Sequence, residues 1–189
     1  MKRAAFKQLK RVSPTLFYLS EYRRVLKNHF EPNAKAKDKL FNEFIDSCQE
    51  LNCLQIGVKD NVSKKFGPNW TSVDLYDTRE FVDYNYDIHD LKFEDNSFDA
   101  AVCISILEHV THPQKAVQEL HRVLKHGGII WIQVPFCFYY HAHPGDYWRV
   151  SPEGLRIWME DFDEITCACH SWTGSPLALS TYFHGKKKA

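Results

Sequence analysis

The sequence has no apolar run approaching the ~20 residues needed to cross a bilayer, no internal repeat and no low-complexity tract. That excludes membrane-spanning and solenoid classes. Glycine is scarce, at 8 of 189 residues, so a glycine-rich phosphate loop has little material to draw on. No Cys-x-x-Cys pair occurs; Cys167-x-Cys169 lacks the two-residue spacer of a zinc or redox knuckle, and no second pair answers it. No apolar leader precedes the six cysteines, so a reducing, cytoplasmic setting is expected, with the thiols serving as small apolar groups. Net charge is also lacking: 24 basic residues balance 24 acidic ones. The balance is uneven along the chain. Residues 1–40 hold eleven Lys and Arg against three Asp and Glu, which leaves an acidic remainder.

What is present suits one domain with a proper core, 44% of residues being hydrophobic. Residues 1–34 read as a basic helical extension, interrupted at Ser13-Pro14, and 35–189 as the main domain. The basic helices suit peripheral contact with an anionic membrane surface, a cover for a neighbouring subunit or the site mouth, or plain solvated faces. Nucleic acid is not expected, because aromatics do not interleave with the basic residues. Oligomeric state is left open.

A helix with the stripe Leu40, Phe41, Phe44, Ile45 and Cys48 leads into short apolar runs separated by helices. Strands are expected at 51–57, 70–76, 82–88, 98–106, 129–136 and near 163–170. Helices are expected at 112–125 and from Ser151-Pro152, the latter carrying Leu155, Ile157, Trp158 and Met159. The segment 163–184 could hold a strand and a helix instead of a closing hairpin, and Lys186–Lys188 reads as a solvated tail. Continuous apolar strands alternating with helices argue for an α/β, Rossmann-like, mostly parallel sheet flanked by helices. In such sheets ligands bind at the carboxyl ends of the strands.

Those ends carry the candidate residues. The first strand ends Gln55-Ile56-Gly57-Val58-Lys59-Asp60-Asn61, with Gly57 able to let a nucleotide-type ligand approach the backbone. Asp74, followed by Leu75, stands where a carboxylate accepts from ribose hydroxyls; Asp87 can accept from an adenine amino group, with Ile88 against the ring. Each aspartate, taken singly, also reads as a turn or cap residue.

The stretch 87–136 then carries Asp87, Leu91-Lys92-Phe93, Phe98-Asp99, Leu107-Glu108-His109 and Arg122-Val123-Leu124-Lys125-His126-Gly127-Gly128. It resembles the class I methyltransferases of the type 11 kind. The run HAHPGDYWRVSPEGLRIWME at 141–160 resembles a branch associated with sugar and surface-polysaccharide biosynthesis. The resemblance covers roughly 51–175. It implies a class I methyltransferase fold and the cofactor S-adenosylmethionine, held by Gln55, Gly57, Lys59, Asn61, Asp74, Leu75, Asp87, Ile88, Ile104 and His109. It implies a small-molecule or glycan acceptor methylated on oxygen or nitrogen. Where the family has Gly-x-Gly-x-Gly, Lys59 and Asn61 replace two glycines; Lys59 adds bulk, though its ammonium could pair with the cofactor carboxylate. The segment between the second and third expected strands is too short for a crossover helix.

Methyl transfer asks mainly for alignment, with a base only where a proton must leave. His141, His143 and Asp146 are the catalytic candidates, among Phe136, Phe138, Tyr139, Tyr140, Tyr147, Trp148 and Arg149. The loop can equally pack over the sheet with satisfied histidines. His-x-His also resembles metal-ligand spacing, but a third ligand is not evident in the sequence, so no metal is expected. The altered loop leaves an inactive methyltransferase-fold scaffold as the alternative. A nicotinamide-dependent enzyme fits less, lacking Gly-x-Gly-x-x-Gly.

Overall fold

The computed structural model describes residues 34–58, 65–171 and 179–188. Residues 1–33 of the basic extension expected at 1–34 lie outside the described residues, as do Lys59 and Asn61.

The chain order is α1 (Ala34–Ser47), β1 (Cys53–Ile56), β2 (Trp70–Val73), β3 (Phe98–Ile104), a 3-10 turn (Leu107–His109), α2 (Pro113–Val123), β4 (Leu124–Cys137), α3 (Pro152–Trp158), β5 (Phe162–Ser171) and β6 (Leu179–Lys187). The six strands form one sheet in the order β2-β1-β3-β4-β6-β5. β2, β1, β3 and β4 pair in parallel, and β6 runs antiparallel between β4 and β5.

The period of two along β4 explains its apolar run. Ile130, Ile132 and Val134 enter the core face that holds Leu120 and Val123 of α2 and Leu155 of α3. Trp131 points the other way, to Phe44 of α1, Cys48 just beyond it and Tyr182 of β6. Both faces are covered, so alternation of polar and apolar residues would leave polar groups stranded. α2 begins at Pro113, whose missing N–H costs nothing there, and buries Ala116, Val117, Leu120 and Val123 as the pattern demands. Ser151 caps α3, its hydroxyl accepting from the Gly154 amide at 3.2 Å. Of the apolar residues at this helix, Leu155 and Met159 are buried and Ile157 is exposed.

Three expectations are corrected. The strand at 82–88 reduces to a single bridge between Val73 and Tyr84. Side chains take the place of the ladder: Asp83 accepts from the Ser72 amide at 2.8 Å, and Asn85 donates to the carbonyls of Asp74 and Asp77 at 2.8 and 2.7 Å. Between β2 and β3, residues 74–97 carry no helix among the described residues. The closing hairpin is complete, β5 and β6 pairing from Phe162↔Lys187 to Ser171↔Leu179, rather than a strand and a helix. Lys187 therefore belongs to β6 and not to a solvated tail. It is buried, and its ammonium donates to the Leu124 carbonyl at 2.7 Å and Asn96 Oδ1 at 3.0 Å. No helix among the described residues is long and apolar enough to cross a membrane.

His184 gives the fold an acid sensitivity. Its ring stands edge-on to Phe44 at 5.2 Å, and its Nε2 is buried with no partner among the described residues. Burial holds its pKa below the ordinary histidine value. The unfolded chain then takes up more protons as pH falls, so stability is full above about pH 6.5 and declines below it. Thermal denaturation is expected at lower temperature at about pH 5.5 than at about pH 7.5, with His184→Leu showing a shallower decline. An equally steep decline in the variant would assign the effect elsewhere.

Candidate functional site

The carboxyl ends of the parallel strands meet the loop 138–149 that follows β4. At the end of β1, Gly57 has φ +81, and an added Cβ would lie 2.3 Å from Ile106 Cδ1. Only glycine takes this conformation without strain, and its missing side chain lets Ile106 pack directly against the backbone. Its amide donates to the Val73 carbonyl at 2.8 Å, tying β1 to β2 just before Asp74. Asp74 accepts from the Val58 amide at 3.2 Å through one carboxylate oxygen and from Tyr76 and Asp77, each at 3.0 Å, through the other. A carboxylate offers about four lone-pair positions, so three are occupied. The turn reading of Asp74 is thus correct locally, and an acceptor position is still left. Leu75 is exposed beside it.

Near the ends of β1 and β3, Gln55 Oε1 and the Ser105 hydroxyl are buried without partners among the described residues. Ser105 has φ +56 and follows Ile104, the last residue of β3. Orphaned polar atoms at strand ends are what a polar cofactor would satisfy. Asp87 accepts from the His89 amide at 2.8 Å and contacts the His89 ring at 2.7 Å. Burial works against its ionised form, but the His89 amide and ring outweigh it and hold its pKa below the usual value. Its side chain is about half exposed, whereas Ile88 is buried in the core with Leu91 and Val117. The side chain of Ile88 therefore packs inward rather than lying open to a ring.

The loop after β4 is fastened from both sides. Asp146, its side chain 1% exposed, takes two bonds from Arg149 at 2.6 and 2.7 Å and one from the His141 amide at 2.7 Å. The Arg149 guanidinium holds its carboxyl well below the usual range. Arg149 also donates to the carbonyls of Phe138, Tyr139 and Trp148. The Tyr147 amide donates to the Glu108 carbonyl at 2.7 Å, and the Trp148 indole to the Val110 carbonyl at 2.8 Å, strapping the loop over the 3-10 turn.

That strapping separates the expected His141–His143 pair. His143 is exposed, its ring 6.4 Å from Tyr76 beyond β2. His141 faces inward instead, its ring 5.0 Å from His109. Between them stands Glu108, fully buried, with Oε1 3.7 Å from His109 Nε2 and 3.8 Å from His141 Nε2. Burial pushes the Glu108 carboxyl up to about 8, against the pull of its own amide and of Arg149. Burial holds His109 below its ordinary value, against the Gly145 carbonyl that its Nδ1 meets at 2.6 Å. The sequence reading took His109 as lining the cofactor side and gave Glu108 no chemical part. Only the adjacency Glu108-His109 was legible; the thirty-residue separation from His141 hid the rest.

A methyltransferase-domain family model matches residues 64–132, under half of the chain. A solved structure of the N-methyltransferase NodS from Bradyrhizobium japonicum, in complex with S-adenosyl-L-homocysteine, superposes with a TM-score of 0.61 at 15% identity, covering 82% of this chain and 87% of that one. The chain has the class I methyltransferase fold. A possible histamine N-methyltransferase from Thermotoga maritima shares the fold with a TM-score of 0.59 at 18% identity, covering 90% and 97%. So does the [4+2]-cyclase SpnF, at 0.57 and 16% identity, covering 85% and 86%. The methyltransferase fold therefore does not fix one reaction. In sequence, the ubiquinone/menaquinone biosynthesis C-methyltransferase UbiE of Brucella canis is 48% identical over 54 residues, 29% of this chain and 19% of that protein. An uncharacterised Methanocaldococcus jannaschii protein is 29% identical over 94 residues, 50% of this chain and 36% of that protein. These matches span only a fifth to about a third of the relatives' own length.

Proposed function

We propose that the chain binds S-adenosylmethionine at the carboxyl ends of β1, β2 and β3 and transfers its methyl group to a small acceptor. The observation that carries this reading is the pair of buried, unpartnered oxygens of Gln55 and Ser105 at the strand ends beside Gly57, with the Asp74 carboxylate one strand away. The bound cofactor supplies a sulfonium-activated methyl group. The protein's own residues do the holding. Asp74 accepts a ribose hydroxyl at its remaining position and gains a second by giving up the long Val58 bond. Asp87 accepts from the adenine amino group, with the backbone of Ile88 beside it. Gln55 and Ser105 offer their orphaned oxygens to the methionine part, beside Ile104.

The acceptor enters under the loop 138–149. Tyr139, Tyr140 and Tyr147 are exposed there and suit stacking on a sugar face, which supports a glycan-related oxygen or nitrogen nucleophile. Of the three catalytic candidates, His143 is the imidazole turned outward and takes the part of base. Asp146 is committed to Arg149 and positions the loop.

Calorimetric titration with S-adenosylmethionine and S-adenosylhomocysteine tests the reading. Micromolar binding is expected. Asp74→Ala should weaken it roughly 30-fold, the equivalent of about 2 kcal/mol for a hydrogen bond to a charged group. Unchanged affinity would remove Asp74 from the site. No heat from folded protein at millimolar ligand would favour the scaffold alternative, which the Ile106 side chain over Gly57 and the occupied Asp74 carboxylate would then explain.

A further inference from the structure

We propose that Glu108, His109 and His141 form a binding site for a divalent transition-metal ion, zinc being the ion that best suits the donor set. Their ligand atoms all lie within 4.8 Å of one another, brought together by the 3-10 turn after β3 and the loop after β4.

Three independent features make this a built site. The first is the buried carboxylate. Glu108 has no exposed side-chain surface, and neither carboxylate oxygen has a hydrogen-bond partner on another described residue. A buried carboxyl with its oxygens unbonded is costly, and a cation in place of its proton would satisfy both oxygens. The second is the orientation of both imidazoles. His109 Nδ1 stands 2.6 Å from the Gly145 carbonyl, which can only accept, so the proton is on Nδ1 and the Nε2 lone pair faces Glu108. His141 Nδ1 stands 3.0 Å from the Tyr139 carbonyl and 3.3 Å from Asp146 Oδ2, both acceptors; Arg149 Nη2, a donor, is farther at 3.4 Å. Its Nε2 lone pair therefore faces Glu108 as well. A backbone carbonyl behind one histidine and a carboxylate behind the other is the support that metal-bound imidazoles characteristically have.

The third is the spacing. At 3.7 and 3.8 Å the Nε2 atoms are too far from Glu108 for hydrogen bonds, so a shared proton does not join them in this arrangement. Ligands at about 2.1 Å from a tetrahedral ion stand about 3.4 Å apart, which a small inward movement achieves. Two imidazoles and one carboxylate leave a coordination position open. On the methyltransferase reading, that position lies where the acceptor enters. An acceptor hydroxyl bound there would lose its proton to solvent more readily before its oxygen attacks the methyl group.

The test is metal binding by the full chain after chelator treatment. Calorimetry with Zn²⁺ is expected to show one ion per chain, and Co²⁺ to give a nitrogen- and oxygen-ligated spectrum without thiolate charge transfer. His141→Ala and Glu108→Gln should each weaken binding about 100-fold or more, above the range seen for supporting residues, with the far-ultraviolet spectrum unchanged. No stoichiometric ion, a thiolate spectrum, or full affinity in both folded variants would overturn the proposal. Where a variant fails to fold, the wild-type Co²⁺ spectrum decides between the same outcomes. Cofactor titration is a separate measurement, so loss of either reading leaves the other standing.

Discussion

Trp131→Ala should cost about 4 kcal/mol of stability and lower the melting temperature by about 12 °C in a domain of this size. Trp131 is fully buried in the middle of β4. Its ring stacks on Tyr182 at 5.2 Å and 7°, and meets Phe41 at 5.1 Å and Phe44 at 5.9 Å. It thus joins α1 to the sheet and β4 to β6. Alanine leaves a cavity that two strands and a helix cannot close together. Trp131→Phe is the instructive control. The indole N–H is buried with no acceptor among the described residues, so phenylalanine forfeits no hydrogen bond and keeps most of the aromatic contact. It should cost about 1 kcal/mol. A phenylalanine variant as unstable as the alanine one, in thermal or urea denaturation, would show that the indole ring makes a polar contribution.

Asp146→Asn should cost about 3 kcal/mol, or about 9 °C in melting temperature, and should abolish methyl transfer while sparing cofactor affinity. The carboxylate is almost wholly buried against Arg149 and the His141 amide. An asparagine must turn its NH2 group toward one of those donors, and it leaves the guanidinium without its counter-charge. Arg149 then loses the anchor from which it gathers the carbonyls of Phe138, Tyr139 and Trp148, so the loop loosens where His141 and His143 are carried. Gly57 and Asp74 lie outside this network, which is why cofactor titration should change little. Wild-type melting temperature and turnover in Asp146→Asn would contradict this account.

Much of the sheet was legible because the pattern is local. The apolar runs of β3 and β4, the inward stripe of α2 and the Ser151 cap each follow from residues within one or two turns of each other. The expected strand at 82–88 failed for an equally physical reason. Its alternation of Val82, Tyr84 and Tyr86 resembles an edge strand, but Asp83 and Asn85 spend their side chains on the backbone of 72–77. Lys187 was misread because charge alone signals solvent, while the strand that carries it ends against the Leu124 carbonyl.

The sequence by itself determined the class of fold, the strand ends where Gly57 and Asp74 lie, and the arrival of a histidine-rich loop after β4. Those are consequences of hydrophobic period and of motifs short enough to be read along the chain. Tertiary structure decided which of these residues meet. It turned His143 outward, drew His141 onto Glu108 and His109, and committed Asp146 to Arg149. Such pairings depend on register between strands and on how a loop is fastened over its neighbour, and neither is encoded in the spacing of residues thirty positions apart.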